Sequence, residues 1–160
     1  MLKHAAFVAA LAVLSATSVS AQNNPRGEAK ATLGGKTVAI DYGRPSLKGR
    51  DMLGKAEVGS TWRMGADGET TLKTETDLKL GTATVPKGEY VLTAKRVSES
   101  EWSMIVSKQD KTSVAEVPLT ASKLNDSVEM FTIDLAGQGK DGTVTLKWGT
   151  TALQTPVSSK

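Results

Sequence analysis

The chain has no cysteine, and its single histidine is His4. Without thiols there is no disulfide, no Cys nucleophile and no thiolate-bound metal. His4 sits in a segment that reads as a removable leader, so the processed chain would hold no imidazole either. That excludes a Ser-His-Asp triad and the usual zinc, copper and haem sites. No metal and no cofactor is expected. Aromatic side chains are also few, with two Phe, two Tyr and three Trp in 160 residues. So small a set is poorly suited to lining a deep glycosidase cleft. No apolar run approaches the roughly 20 residues that a membrane-spanning helix needs.

The N-terminus has a distinct pattern of its own. Lys3 and His4 precede an apolar stretch from Ala5 to Leu14, and Val19-Ser20-Ala21 offers small residues for cleavage. This is the layout of a secretory signal peptide, residues 1–21, cut after Ala21. No Cys follows the cut, so a lipid anchor is excluded. The expected product is exported, periplasmic or secreted, with no transmembrane anchor after processing. Residues 22–27 read as a flexible lead-in and 28–158 as one domain, a size that builds a core without disulfides. With Lys3 removed, 19 basic side chains face 17 acidic ones. That balance, with the charges dispersed, argues against a nucleic-acid partner.

Beyond the lead-in, short β-runs alternate with turn residues. EAKATL and KTVAIDY flank Gly34-Gly35, a hairpin signal, and Val38, Ile40 and Tyr42 share one face. TTLKTET alternates over 70–76, and LKLGTATV leads into a turn at Pro86-Lys87-Gly88. EYVLTAKRV (89–97) and WSMIVSK (102–108) follow; apolar residues on both sides of the latter suggest a central strand. SVEMFTIDL aligns Phe131, Ile133 and Leu135, and GTVTLKW aligns Val144, Leu146 and Trp148 across the turn GKDG (139–142). TALQTPV closes the chain, its Pro156 suiting an edge. Residues 44–60 read weakly, with room for one helical turn around Asp51 to Ala56, and 113–126 gives no clear pattern. The expectation is an all-β fold: a single antiparallel β-sandwich, jelly-roll-like or barrel-like.

Two stretches concentrate chemistry. IDYGRPSLKGRDMLG (40–54) carries Arg44, Lys48 and Arg50 in a loop punctuated by Gly and Pro. TWRMGADGETT (61–71) adds Trp62, Arg63, Asp67, Glu69 and Thr70. Guanidinium forks bind carboxylate and phosphate at two points. If the stretches meet, Arg44, Arg50 and Arg63 would surround an acidic ligand beside the Trp62 ring. The competing reading pairs Arg44 or Arg63 with Asp67 or Glu69 as a braced turn, with Trp62 covering the core.

YGRPSLKGR, followed by a W-R-x-G-A pattern with Thr70 and Thr71, a P-x-G-x-Y turn and a W-x-x-I-V strand, resembles domain of unknown function 2911. The resemblance extends from about residue 28 to the W-G-T-T of 148–151. It implies an exported bacterial β-protein without established activity. The motif positions carried over are Arg44, Pro45, Lys48, Gly49, Arg50, Trp62, Arg63, Gly65, Ala66 and Thr70. This sequence departs from the pattern at Asp67-Gly68-Glu69, where the family has Asn then Glu. It also has KQDKTSVAEV where a Trp-Gly segment is expected.

Three function classes remain. A non-catalytic module would bind a small anionic ligand or an envelope glycan at an Arg/Trp-lined end, where exposed Trp rings stack on sugars. A structural module would take a protein partner through an edge strand. A His-free hydrolase would use Asp67 and Glu69, which on a strand would point the same way. No catalytic residue is assigned. Calcium is disfavoured because the D-x-D-x-D-G spacing is absent.

Overall fold

The computed structural model describes residues 23–160. The expected leader and its cleavage point lie outside the described residues. Ten strands follow: β1 (Arg26–Leu33), β2 (Lys36–Gly43), β3 (Thr61–Trp62), β4 (Thr70–Thr74), β5 (Leu78–Leu80), β6 (Ala83–Val85), β7 (Gly88–Arg96), β8 (Trp102–Ser107), β9 (Ser113–Gln138) and β10 (Asp141–Ser159). They form one sheet in the order β1-β2-β4-β7-β8-β9-β10-β5-β6, with β3 added on β7. Every pairing is antiparallel. No helix occurs among the described residues; 51–56 is a set of turns. The path ends at β1 and β6, which do not pair with each other.

Alternation explains most of these strands. Val38, Ile40 and Tyr42 of β2 are buried, as are Trp102, Met104 and Val106 of β8, Phe131, Ile133 and Leu135 of β9, and Val144, Leu146 and Trp148 of β10. The β1–β2 turn places Gly34 and Gly35 at φ of 59° and 76°, the left-handed pair that a two-residue hairpin turn requires. β1 starts inside the expected lead-in. Arg26 pairs with Gly43 in the ladder, and its guanidinium binds Asp41 and the Glu69 carbonyl.

Two long strands decide the shape. The first part of β9 pairs with β8, up to Leu119, and the remainder with β10. β10 then leaves β9 and pairs through Val157–Ser159 with β5. Pro156, which lacks a ladder donor, stands between those two pairings. β1 runs close to β9, with Leu33 and Ala31 against Gly137; beside this contact Gly34 N–H donates to Gly139 O at 2.8 Å, and Tyr42 Oη of β2 donates to Ile133 O at 3.4 Å. Buried apolar residues of β1, β2, β4–β10 and the 44–60 loop form one hydrophobic core.

Candidate functional site: a tryptophan-walled cavity

The 44–60 loop contains little regular structure, yet β9 holds it closely. Phe131 N–H donates to Pro45 O at 2.9 Å and Leu47 N–H to Glu129 O at 3.0 Å, with Ser46 bridging Met130. Leu47 and Leu53 are thereby buried. Asp51 Oδ1 accepts the Gly54 N–H at 2.9 Å, which sets a turn. Arg96 fixes that turn from the other side. Its Nη1 reaches the carbonyls of Leu53, Gly54 and Ala56 at 3.4, 3.0 and 2.7 Å. Nε and Nη2 donate to Ser98 O and Glu99 O, and the guanidinium carbon sits 5.7 Å from the Trp102 ring centre. All five partners are uncharged carbonyls, so Arg96 acts here as a clamp.

The clamped turn walls a cavity of about 280 Å³ lined by Asp51, Met52, Leu53, Lys55, Ala56, Trp62, Trp102 and Trp148. All three tryptophans of the chain meet here, from β3, β8 and β10. Trp62 stacks on Trp148, and both contact the Phe131 ring, which Tyr42 meets edge-on. Trp148 is anchored further by Nε1–H donation to Glu129 O at 3.2 Å. The walls are mainly apolar, and Asp51 and Lys55 are the charged side chains among them. A small site of this kind takes a flat or apolar group, with a few polar atoms setting its orientation.

The residues singled out from the sequence fall in separate places. Trp62 lines the aromatic cavity. Arg63, Asp67, Glu69 and Thr70 line a different one, of about 370 Å³, with Thr93, Ser107 and Lys111. There Arg63 donates to Asp67 O at 2.8 Å, Glu69 pairs with Lys111, and Thr70 Oγ1 donates to Met64 O at 2.7 Å. Arg44 instead reaches Phe131 O and Thr132 Oγ1 at 3.2 and 3.0 Å, and Arg50 donates to Leu47 O at 3.2 Å. Lys48 is exposed at φ 51°, its N–H on Glu129 Oε1. The three guanidiniums thus each serve a backbone carbonyl nearby. The premise behind the carboxylate pair also changes: Asp67 and Glu69 lie outside the strands, and Asp67 has φ 67°.

Asp51, Met52, Lys55 and Arg96 carried no functional signal in the sequence; Trp102 offered a sugar-stacking ring as Trp62 does, although its apolar strand partners, like those of Trp148, favour core packing. Both are indeed buried, at 5% and 3% exposure, while still edging the cavity. The W-G-T-T of 148–151 was the available clue to Trp148. The titratable groups with displaced pKa values lie elsewhere. Glu75 and Asp110 are lowered, chiefly by backbone N–H groups of Thr37 and Thr112. Tyr90 is raised, chiefly by burial. Among the described residues, no group of three or more His, Cys, Asp or Glu is placed to hold a metal ion.

The family model described as "Protein of unknown function (DUF2911)" matches residues 24–157. No curated protein and no solved structure matches the chain.

Proposed function

The chain belongs to the DUF2911 family, and we propose that it is an exported, non-catalytic binding protein whose site is the tryptophan-walled cavity. Its ligand is an envelope glycan, of which one sugar ring enters the cavity. The observation that carries this reading is the meeting of Trp62, Trp102 and Trp148, from three separate strands, at one cavity of about 280 Å³. That is close to the lower end of the roughly 300–1,000 Å³ typical of small-molecule sites, and so suits a single ring. Aromatic faces pair with the C–H face of a sugar, and Asp51 and Lys55 supply polar groups for its rim. An acidic ligand held by Arg44, Arg50 and Arg63 has less support, because their guanidiniums already serve carbonyl oxygens. Export rests on the leader pattern of residues 1–21.

Intrinsic tryptophan fluorescence tests the site directly. Neutral sugars should shift the emission of the wild-type chain, and inorganic phosphate should not. Ala56→Phe, which fills the cavity and keeps every Trp, should abolish the shift while the protein stays folded. A sugar response that survives this plug would refute the assignment.

A second reading adds a partner strand at β9. Thr120–Lys123 pair with β10 on one side, and among the described residues no strand pairs on the other. A stoichiometric protein partner, together with an unchanged emission in every sugar, would decide for it.

A further inference from the structure

A second open cavity lies against the first. It measures about 370 Å³ and shares Leu53 and Trp102 with the tryptophan-walled one, so those two side chains form a common partition. The chemistry changes across it. Beyond Trp102 the lining is rich in hydroxyls, with Ser100, Ser122, Thr150 and Thr151, and carries Lys123 and Glu99. Lys123 is exposed and makes no ion pair among the described residues. Arg96 also lines this side, but its donors are committed to the carbonyls of the clamp.

The strand register creates this half. β9 and β10 pair regularly up to Lys147↔Thr132, then shift at Gly149↔Val128 and again before Thr151↔Lys123. The β9 side carries several more residues than the β10 side over this interval. Gly149, at φ 62°, lets β10 make the turn that only glycine adopts freely. After the shifts, Ser122 and Lys123 sit opposite Ala152 and Thr151. The bulge that places Trp148 in the first cavity therefore sets Thr150 and Thr151 in the second. Bulges commonly redirect side chains at sites in this way.

We propose that the two cavities are adjoining subsites for an oligosaccharide of at least two rings. This inference rests on the glycan-binding reading above. One ring lies against the tryptophans, and the glycosidic link crosses the Leu53–Trp102 partition. The next ring presents its hydroxyls to Ser122, Thr150, Thr151 and Lys123. A single sugar would leave one half unused. An acyl chain would suit the aromatic half but leave the hydroxyl half unmatched, because buried polar groups without partners oppose binding.

The test titrates glucose, N-acetylglucosamine and the β-1,4-linked dimer and trimer of each into the full processed chain, read by calorimetry. The best dimer should bind about tenfold or more tighter than its monomer. The surface pair Ser122→Ala with Thr151→Val should cut dimer affinity about fivefold to tenfold and leave the monomer unchanged. Equal affinities for monomer and dimer, both insensitive to this pair and both abolished by Ala56→Phe, would overturn the two-ring assignment and leave the single-ring site standing. Absence of binding by any member of the series would remove both.

Discussion

Trp62 and Trp148 lie ring on ring, with centroids 5.4 Å apart and planes inclined by 18°. One comes from a two-residue strand and the other from the middle of β10. Their contact joins the edge of the β7 region to the β9–β10 pair and forms a floor for the cavity. Both rings also meet Phe131, at 4.7 and 5.7 Å. Aromatic pairs contribute roughly 0.5–1.5 kcal/mol each beyond the area they bury, so the cluster stabilises the fold as well as shaping the site.

The two tryptophans should separate under mutation. Trp148 is almost fully buried and hydrogen-bonded, so Trp148→Ala is expected to cost about 3–5 kcal/mol. Trp62 is only half-buried, and Trp62→Ala should cost clearly less while removing the sugar response. Chemical denaturation alongside the fluorescence titration measures both. An equal stability loss at the two positions would contradict this division.

Arg96→Met keeps the aliphatic stem over Trp102 but removes five donations to carbonyls. Hydrogen bonds from charged groups contribute about 1.5–3 kcal/mol, so a loss of about 2 kcal/mol or more is expected. Faster amide exchange should be confined to the turns around 53–56 and 98–101. Unchanged exchange there would show that other contacts hold the turn.

Gly43 is packed against the 63–69 loop so closely that an added Cβ would fall well inside contact distance of the Ala66 carbonyl oxygen. Backbone cannot yield as a side-chain tip can. Gly43→Ala should therefore destabilise by about 1–3 kcal/mol, the range for overpacking. Gly35→Ala meets no atoms but is strained at φ 76°, with an expected cost of about 1 kcal/mol. Thermal melts of the two variants provide the comparison.

Acid should weaken the fold through Glu75 and Asp110. Glu75 Oε2 accepts the Thr37 N–H at 2.9 Å and Asp110 Oδ1 the Thr112 N–H at 2.9 Å, and both carboxyls titrate below their ordinary values. A folded-state pKa below the unfolded one contributes stability that is complete above the unfolded value. It is lost as pH falls through the folded value, that is, from about pH 4 downward. Glu75→Gln should flatten part of that acid limb in a plot of melting temperature against pH. An unaltered limb would show that the Thr37 contact contributes no stability.

The fold was legible where one face is buried and the other wet. In β2 and β10 the period of two places alternate apolar residues inside, and the structure follows that pattern; β8, apolar on both sides, is covered on both and lies between β7 and β9. β9 was not legible as one strand of Ser113–Gln138. Residues 120–123 and 125–127 are all exposed, so no apolar alternation marks them, and Pro118 resembles a break. The candidate site was half visible. Trp62 stands out because it sits in a polar, Gly-rich stretch, whereas the apolar strand partners of Trp102 and Trp148 make core packing the favoured reading of both. Arg96 gave no signal, because its five acceptors are carbonyls of two loops and carbonyls have no sequence signature. The cationic loop left an anion cradle and a braced turn both open, because guanidinium groups are conspicuous in a sequence and the backbone oxygens they serve are not.

β9 pairs with β8 through its first part and with β10 through the rest, and β10 carries the sheet on to β5, so the sheet has no boundary at which one part can detach from another. Loosening around the tryptophans is transmitted along the same two backbones to β5 and β8. The protein should therefore melt in a single cooperative transition, and heat should open the tryptophan-walled cavity only when the whole scaffold comes apart.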